Sequence, residues 1–527
     1  MMNRRNFLKT GAVTPLLLGL KFEPLSADVP DHRWDGYDFG PAPTPSDRLN
    51  QGPFGIEQDE GWQTIGWTNP SREHIKNFGG GLIGYTWEEN GPAVPVREGK
   101  DTLESQIEKL ASLPFMDVLY IRCDWRDVQS VPGKLNLHPV WMLTFEAAKQ
   151  YHLRVGFRIQ LSSPNFQPSR LAMPDYLQKK VPLVKIGRMR GEKDVLAEGD
   201  WEYREPRYDH PEFQKAFQEL NELLASEFDG NPLVEFMDLM MYGFWGEGHT
   251  NALPNPFPDY LTAERTMVSM TRFQIDTWKK VPLVINTQPD ISKTGNRECL
   301  DLAVRAGCWL RSDSTVYIEE PIQIECLSNR PPWLAVVMEE GRNRHYDIER
   351  LEIDSAGIDD QENSMRHVLD LGGNYWGLWT EAENLKKYYQ KYPSGIDTLH
   401  QRLGYRVRPS WIWQRKRYGT SEIILALAND GVAGVPGILR IYLESLDGKI
   451  SIGGGLDGGH PYGGRLRQAS FIVPKEMEGQ KMKIRGEIET KGVRRPVRWA
   501  CAQPLNADGS LTIQLKTYED KGWRKGI

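Results

Sequence analysis

Between residues 79 and 404 the apolar residues alternate between two rhythms: short continuous runs, and stripes spaced three and four apart. GGGLIGYTW (79–87) suits a strand buried on both faces. Asp101-Thr-Leu-Glu104 then opens a helix in the manner of a capping box, with Leu103, Ile107, Leu110 and Leu113 on one side. DVLYIRCDW (117–125) is the next strand, a helix with Pro139 near its first position follows, and RVGFRIQLSSP (154–164) is the third strand. Pro211 starts a helix that turns Phe213, Phe217, Leu220 and Leu224 inward; Gly230 stops it, and LVEFMDLMMYGFWGEG (233–248) runs from strand into loop. PLVINTQ (282–288), GCWLRSD (307–313), PWLAVVMEE (332–340) and NYWGLWTE (374–381) complete eight strand-like runs separated by helical segments. Doubly buried strands alternating with helices predict a closed (β/α)8 TIM barrel over 79–404. An open doubly wound sheet is disfavoured, because no GxGxxG follows the first strand.

Past residue 405 the period becomes two. EIILALANDG, GILRIYLESLDGKISI and DGSLTIQLK are short strands closed by Asp-Gly turns, which predicts a C-terminal β-sandwich over 405–527. The stretch GGGLDGGHPYGG (453–464) lacks the lysine and the strand-to-helix setting of a phosphate loop and is read as a sandwich loop. Residues 28–78, rich in Pro, Gly and Asp, form an irregular lead-in packed on the main domain.

The first 27 residues change the setting. Arg4 and Arg5, then Phe7, Leu8 and Lys9, then an apolar stretch from Ala12 to Leu20 resemble a twin-arginine export signal, too short to span a bilayer. The expectation is a periplasmic or secreted protein with no membrane span after signal removal. Five scattered cysteines give neither a disulfide framework nor a metal finger. A net charge of -6 gives no reason to expect a nucleic-acid partner. The 17 Trp point toward a carbohydrate ligand, because flat indole faces suit the C–H faces of sugar rings.

In such a barrel the reacting groups close the strands at their C-terminal ends. Strand two ends in Arg122, Asp124, Trp125 and Arg126, strand three carries Arg158, and strand four ends in Trp245, Glu247 and His249. Strand five offers Asn286 and Gln288, strand six Asp313, strand seven Glu339 and Glu340, and strand eight Trp376, Trp379 and Glu381. Carboxylates, guanidiniums, amides and indoles together suit an oligo- or polysaccharide, and hydrolysing a glycoside needs two carboxyls flanking the bond. Strand alternation puts Glu339 on the face of Ala335 and Val337, which favours it over Glu340 for the barrel interior. The ten His form no HExxH or HxH pattern, so neither a catalytic metal nor another cofactor is expected.

The segment IRCDWRDVQSVPGKLNL resembles the strand-two signature of the β-galactosidase-like clan of barrel glycosidases, which includes family 42 and bacterial exported proteins with a trailing β-domain. The resemblance implies that Arg122 steadies the nucleophile, that the acid/base is Glu247 after strand four, and that the nucleophile is Glu339 of the Glu339/Glu340 pair. Hydrolysis of a β-linked sugar with retention is expected, because in such a barrel the ends of strands four and seven face each other across the mouth. Arg122, Trp125, Arg158, Trp245, His249, Asn286, Asp313, Glu340, Trp376 and Trp379 are then the substrate-binding candidates. Burial beside Trp245 is expected to keep a proton on Glu247, while Arg122 keeps Glu339 ionised. MMYGFWGEG also resembles the Trp-Gly-Glu segment of bacterial barrel proteins of undefined activity. One departure is plain: the clan has Asn immediately before its acid/base, and this chain has Gly246. Either another amide such as Asn286 takes that place, or substrate or activity has changed, so a catalytically inactive sugar-binding barrel is the alternative. An esterase is disfavoured by the lack of a GxSxG elbow.

Overall fold

The computed structural model describes residues 32–39, 52–53, 61–88, 91–92, 102–162, 171–190, 200–250, 253–287, 296–312, 321–339, 348–349, 351 and 359–518. Eight parallel strands form a closed barrel: Gly81–Glu88, Val118–Asp124, Arg154–Gln160, Val234–Asp238, Leu283–Asn286, Trp309–Ser312, Val336–Glu339 and Tyr375–Leu378. These are barrel strands one to eight. Strand eight pairs with strand one, Tyr375 opposite Gly81, and that ladder closes the ring. Helices between them, among them Leu103–Ala111, Pro139–Gln150, Pro211–Phe228 and Tyr260–Thr277, make the outer layer.

Period-two alternation divides each strand between two environments. Leu82, Leu119, Ile121, Val336, Met338 and Trp376 pack outward with the helices. Ile83, Tyr85, Val118, Tyr120, Phe236, Val284, Trp309, Val337 and Tyr375 fill the interior. Polar residues of that same parity continue toward the C-terminal mouth, so the mouth inherits its chemistry from strand register.

Several local expectations shift. The first capping box belongs to Thr102 and Ser105, which bond reciprocally, rather than to Asp101 and Glu104. Strand four stops at Asp238, and the rest of its long apolar run, Leu239 to Gly248, becomes a buried loop. An antiparallel hairpin, Leu183–Arg190 with Asp200–Pro206, enters between strand three and the Pro211 helix, in a stretch where the sequence predicted no element. No described helix is long and apolar enough to cross a membrane.

Beyond the barrel lie two antiparallel sheets. One contains Val407–Arg417, Thr420–Asn429 and Leu466–Val473 and gains an edge from the lead-in, where Gln63–Trp67 pairs with Val407–Arg417. That strand lies in a stretch read as irregular. The other sheet is built on Ile438–Ser445 and Lys481–Thr490. Their inner faces share one core, with Ile423, Leu425 and Phe471 on one side and Leu439, Ile441, Ile484 and Ile488 on the other. The same apolar cluster runs through Phe78, Tyr405 and Val435 into the barrel interior. Tyr405 donates to the Phe78 carbonyl at 2.7 Å, and Arg406 to the Ser71 carbonyl at 2.7 Å.

Candidate active site

The loop after strand four is built around one glycine. Gly243 has φ +81, and a Cβ there would lie 2.0 Å from the His249 carbonyl oxygen, so no other residue fits without moving the loop. Phe244 N–H closes the turn on that carbonyl at 2.8 Å. Trp245 follows with φ +56, a left-handed conformation that bulky residues rarely adopt. Glu247 caps the resulting single 3-10 turn, Phe244–Gly246.

Beneath the loop, a buried chain fixes its height. Gly243 N–H donates to the Tyr208 hydroxyl at 3.0 Å, and that hydroxyl donates to Glu205 at 2.5 Å. Burial pushes the Glu205 carboxyl up to about 7, against the pull of its hydrogen bonds from Tyr208, Ser162 and Gly243.

Glu247 lands on two arginines. Its Oε1 accepts from Arg158 Nη1 at 2.8 Å and Arg122 Nη1 at 3.3 Å, and His249 Nε2 is 3.2 Å from Oε2. Arg122 also donates through Nη2 to Glu339 at 3.1 Å, so one guanidinium bridges the carboxylates after strands four and seven. Arg311 donates to the other Glu339 oxygen at 3.3 Å and grips Asp238 with Nε and Nη2. Asp238 accepts from Tyr120 at 2.7 Å and lies 3.5 Å from Arg158 Nη2. Among the described residues, three guanidiniums and three carboxylates thus alternate around the mouth, each at most 6% exposed. Aromatic faces support the cations, Trp379 lying 5.2 Å from the Arg122 guanidinium and Tyr120 4.9 Å from that of Arg311.

Of the candidates, Arg122, Arg158, Glu247, His249, Glu339 and Trp379 converge directly. Trp245 is half-buried at the rim, its ring 5.4 Å from His249 and its carbonyl accepting from Arg158 at 3.3 Å. Asn286 ends strand five, buried at the same end of the barrel. Trp125 and Trp376 are not brought to the mouth. Trp125 donates to Gln129 and meets Phe213 edge-on in the core, and Trp376 faces the helix layer. Asp313, Glu340 and Gln288 lie outside the described residues, as do residues 1–31 with the export signal. Glu247 is buried, as expected, and its carboxylate is contacted by two guanidiniums that the sequence did not place around it.

Arg311 and Asp238 were missed. The signal existed: both stand at inward parity in short apolar strands, two residues beyond Trp309 and Phe236. Taking only the last polar residue of each run passed over them.

One His/Asp cluster, His74, Asp117 and His400, lies at the opposite, N-terminal end of the barrel beside a small cavity. Both ring nitrogens of His74 already face oxygens, Pro114 O at 3.1 Å and Asp117 Oδ1 at 2.8 Å. The two imidazoles stack face to face at 4.0 Å and 12°, so their in-plane lone pairs run parallel instead of converging on an ion. Burial, then His74, pushes His400 down to about 4. Hydrogen bonding of His74 to Asp117 and stacking of His74 on His400, whose Nε2 lies 3.1 Å from the Phe115 carbonyl, clasp the lead-in, the start of strand two and the Pro393–Arg402 helix together.

Register and site together define a (β/α)8-barrel protein with a buried ion network at its C-terminal mouth. No family model matches the sequence. No curated protein matches it either. Solved structures similar to the chain include endo-glycoceramidase II from Rhodococcus sp., with TM-score 0.36 and 11% identity over 79% of this chain and 98% of that one. An endogalactoceramidase gives TM-score 0.36 and 13% identity over 78% and 97%. An exo-β-1,4-mannosidase from Opitutaceae bacterium strain TAV5 gives 0.37 and 13% over 57% and 52%. The barrel is defined by its own strand pairing, which closes strand eight on strand one.

Proposed function

We propose that the protein is a glycoside hydrolase that cleaves a β-linked oligo- or polysaccharide with retention, Glu339 acting as nucleophile and Glu247 as acid/base. The observation that supports this most is the Arg122 bridge, 3.3 Å to one carboxylate and 3.1 Å to the other. Retaining chemistry uses carboxyls ~5–5.5 Å apart and inversion ~6.5–9.5 Å, and a single planar fork reaching both supports the close spacing. In the first step the Glu339 carboxylate bonds to the anomeric carbon, the glycosidic C–O bond breaks, and the Glu247 proton goes to the leaving oxygen. In the second, water attacks that carbon, releasing Glu339, and its proton returns to Glu247.

A second reading, sugar binding without hydrolysis, is favoured by one observation: Glu247 Oε1, the oxygen of the proposed acid/base, is engaged by two guanidiniums. Azide rescue separates the two. Glu339→Ala is expected to abolish turnover and regain it with azide as a glycosyl azide of inverted configuration; Glu247→Ala should be rescued with retention on substrates with good leaving groups. Full activity in both variants would refute the assignment, and turnover of no aryl glycoside or oligosaccharide by the parent protein would favour the second reading.

Export through the twin-arginine route is proposed from Arg4, Arg5, Phe7 and Leu8. Changing both arginines to Lys should hold the protein in the cytoplasm; unchanged periplasmic yield would contradict it.

A further inference from the structure

Beside the ion network stands a neutral polar group that takes no part in it. Gln160 ends strand three, two residues beyond Arg158 and of the same inward parity, while its neighbours Ile159 and Leu161 pack into the helix layer. Its side chain is wholly buried, and among the described residues neither Nε2 nor Oε1 has a hydrogen-bond partner. A carboxamide carries two donors and an acceptor, and enclosing them without partners is destabilising. Enclosed glutamines elsewhere use theirs. Gln129 accepts from Trp125 at 2.8 Å and donates to Glu219 at 2.7 Å. Gln274 accepts from the Met240 N–H at 2.8 Å and donates to the Met240 carbonyl at 3.2 Å. Gln361 is orphaned like Gln160, but it lies in the Asp360–Asp370 helix of the outer layer.

What sets Gln160 apart is its place. The loop that carries the proposed acid/base sits on the end of strand three: a Cβ on Gly246 would lie 3.6 Å from Gln160 Cα and 3.7 Å from Arg158 Cδ. Gly246 immediately precedes Glu247, whose Oε1 accepts from Arg158 at 2.8 Å. Gly246 itself brings no side chain, so polar recognition at this contact falls to the residue it rests on, Gln160. Enclosure does not separate Gln160 from the groups a sugar has to reach, because Glu339 is 2% exposed and Glu247 6%. An unpaired buried amide is a cost to the fold that a site can turn to recognition, since the ligand supplies the missing partners.

We infer that Gln160 reads the sugar, Nε2–H donating to one ring hydroxyl and Oε1 accepting from the hydroxyl on the neighbouring carbon. This rests on the mouth being a sugar site, as the hydrolase reading has it, and names the substrate class: a sugar with an intact vicinal diol on the ring that lies against Glu247. Such a diol offers an acceptor and a donor side by side, the complement of a primary amide. The contact is neutral, so it leaves the pairing of the arginines and carboxylates as it is. A site built to hydrogen-bond a hydroxyl rejects the analogue that lacks it, because the amide is then left unpaired.

The test deletes each partner in turn on the full-length protein. The parent is compared with Gln160→Met, which nearly keeps the volume and loses both polar atoms. kcat/KM is measured on 4-nitrophenyl β-D-glucoside and β-D-galactoside and on their 2-, 3- and 4-deoxy counterparts, with calorimetric binding of the matching methyl β-glycosides beside it. In the parent, deletion of either of two adjacent hydroxyls is expected to cost about tenfold or more, and Gln160→Met should cost the intact sugar about as much. In the variant those two penalties should collapse, because the group that reads the hydroxyls is gone. Its melting temperature should equal or exceed the parent's, since an unpaired amide has left the interior. A lower melting temperature would show that the amide serves the fold, and deoxy penalties that persist in the variant would assign the hydroxyls to other groups. Either result overturns this inference and leaves the hydrolase reading standing. Methyl glycosides bound with the expected penalties, while none of the nitrophenyl sugars is cleaved, would overturn the hydrolase reading and leave Gln160 as the sugar contact. No binding and no cleavage of any of them would overturn both.

Discussion

Single residues set the site by what surrounds them. Glu205 shows how a group remote from the mouth acts on it, since it holds Tyr208, which in turn holds Gly243. Its carboxyl, normally near 4.5, stands at about 7 in the fold, so between those pH values the folded chain keeps a proton that the unfolded chain has lost. Stability from this group is full below the lower value and declines as pH rises through the upper one, by up to ~3 kcal/mol. Glu205→Gln removes that titration, so its melting temperature should fall less than the parent's between pH 5 and pH 8; parallel curves would contradict the assignment. Gly243→Ala drives a Cβ against the His249 carbonyl and should cost ~1–3 kcal/mol, read by urea unfolding, with loss of turnover as the loop shifts. At this scale much was legible in the sequence. Glu247, Arg122, Arg158 and Glu339 announce themselves as polar groups closing apolar runs, and the same alternation that favours Glu339 would have found Arg311 and Asp238. Trp125 misled because an indole after a strand looks the same in sequence whether it turns to the mouth or, as here, into the core against Phe213. The ionic surroundings of Glu247 were hidden because Arg122, Arg158 and Glu247 meet only across three strands.

Elements followed from periodicity where the period was long and unbroken. The Pro211–Phe228 helix buries Phe213, Phe217, Leu220 and Leu224, as its stripe requires, and His210 caps it in front of Pro211. Leu220→Ala there should cost ~2–5 kcal/mol, measured by chemical unfolding, because the removed side chain is wholly enclosed. The hairpin Leu183–Arg190 with Asp200–Pro206 was not legible: its strands are mixed in polarity, with no clean alternation. The point at which strand four passes into its loop was hidden for a different reason. Leu239, Met240, Met241 and Tyr242 are as buried as a strand, but they lie in a loop packed under the mouth, and burial without period cannot separate the two. Gln63–Trp67 escaped because an edge strand is short and its partner, Val407–Arg417, lies far along the chain.

At the scale of the whole molecule, barrel and sandwich are joined through a continuous apolar core and through the lead-in, which gives one a strand and the other a floor. Truncation after residue 404 removes Tyr405 from beneath Phe78 and strips the partner from Gln63–Trp67. The shortened chain is expected to aggregate, by size-exclusion chromatography and circular dichroism; a monodisperse, folded barrel would show that the sandwich is dispensable. The ring of arginines and carboxylates is the point on which the account turns, and trapping tests it most directly. A 2-deoxy-2-fluoro aryl glycoside, matched to a parent glycoside that the protein turns over, is incubated with it and the adduct mapped by peptide mass spectrometry. The account predicts one sugar per chain, bonded to Glu339; labelling of Asp238, Glu247 or Glu340 instead, or no adduct while the parent glycoside is hydrolysed, would contradict it.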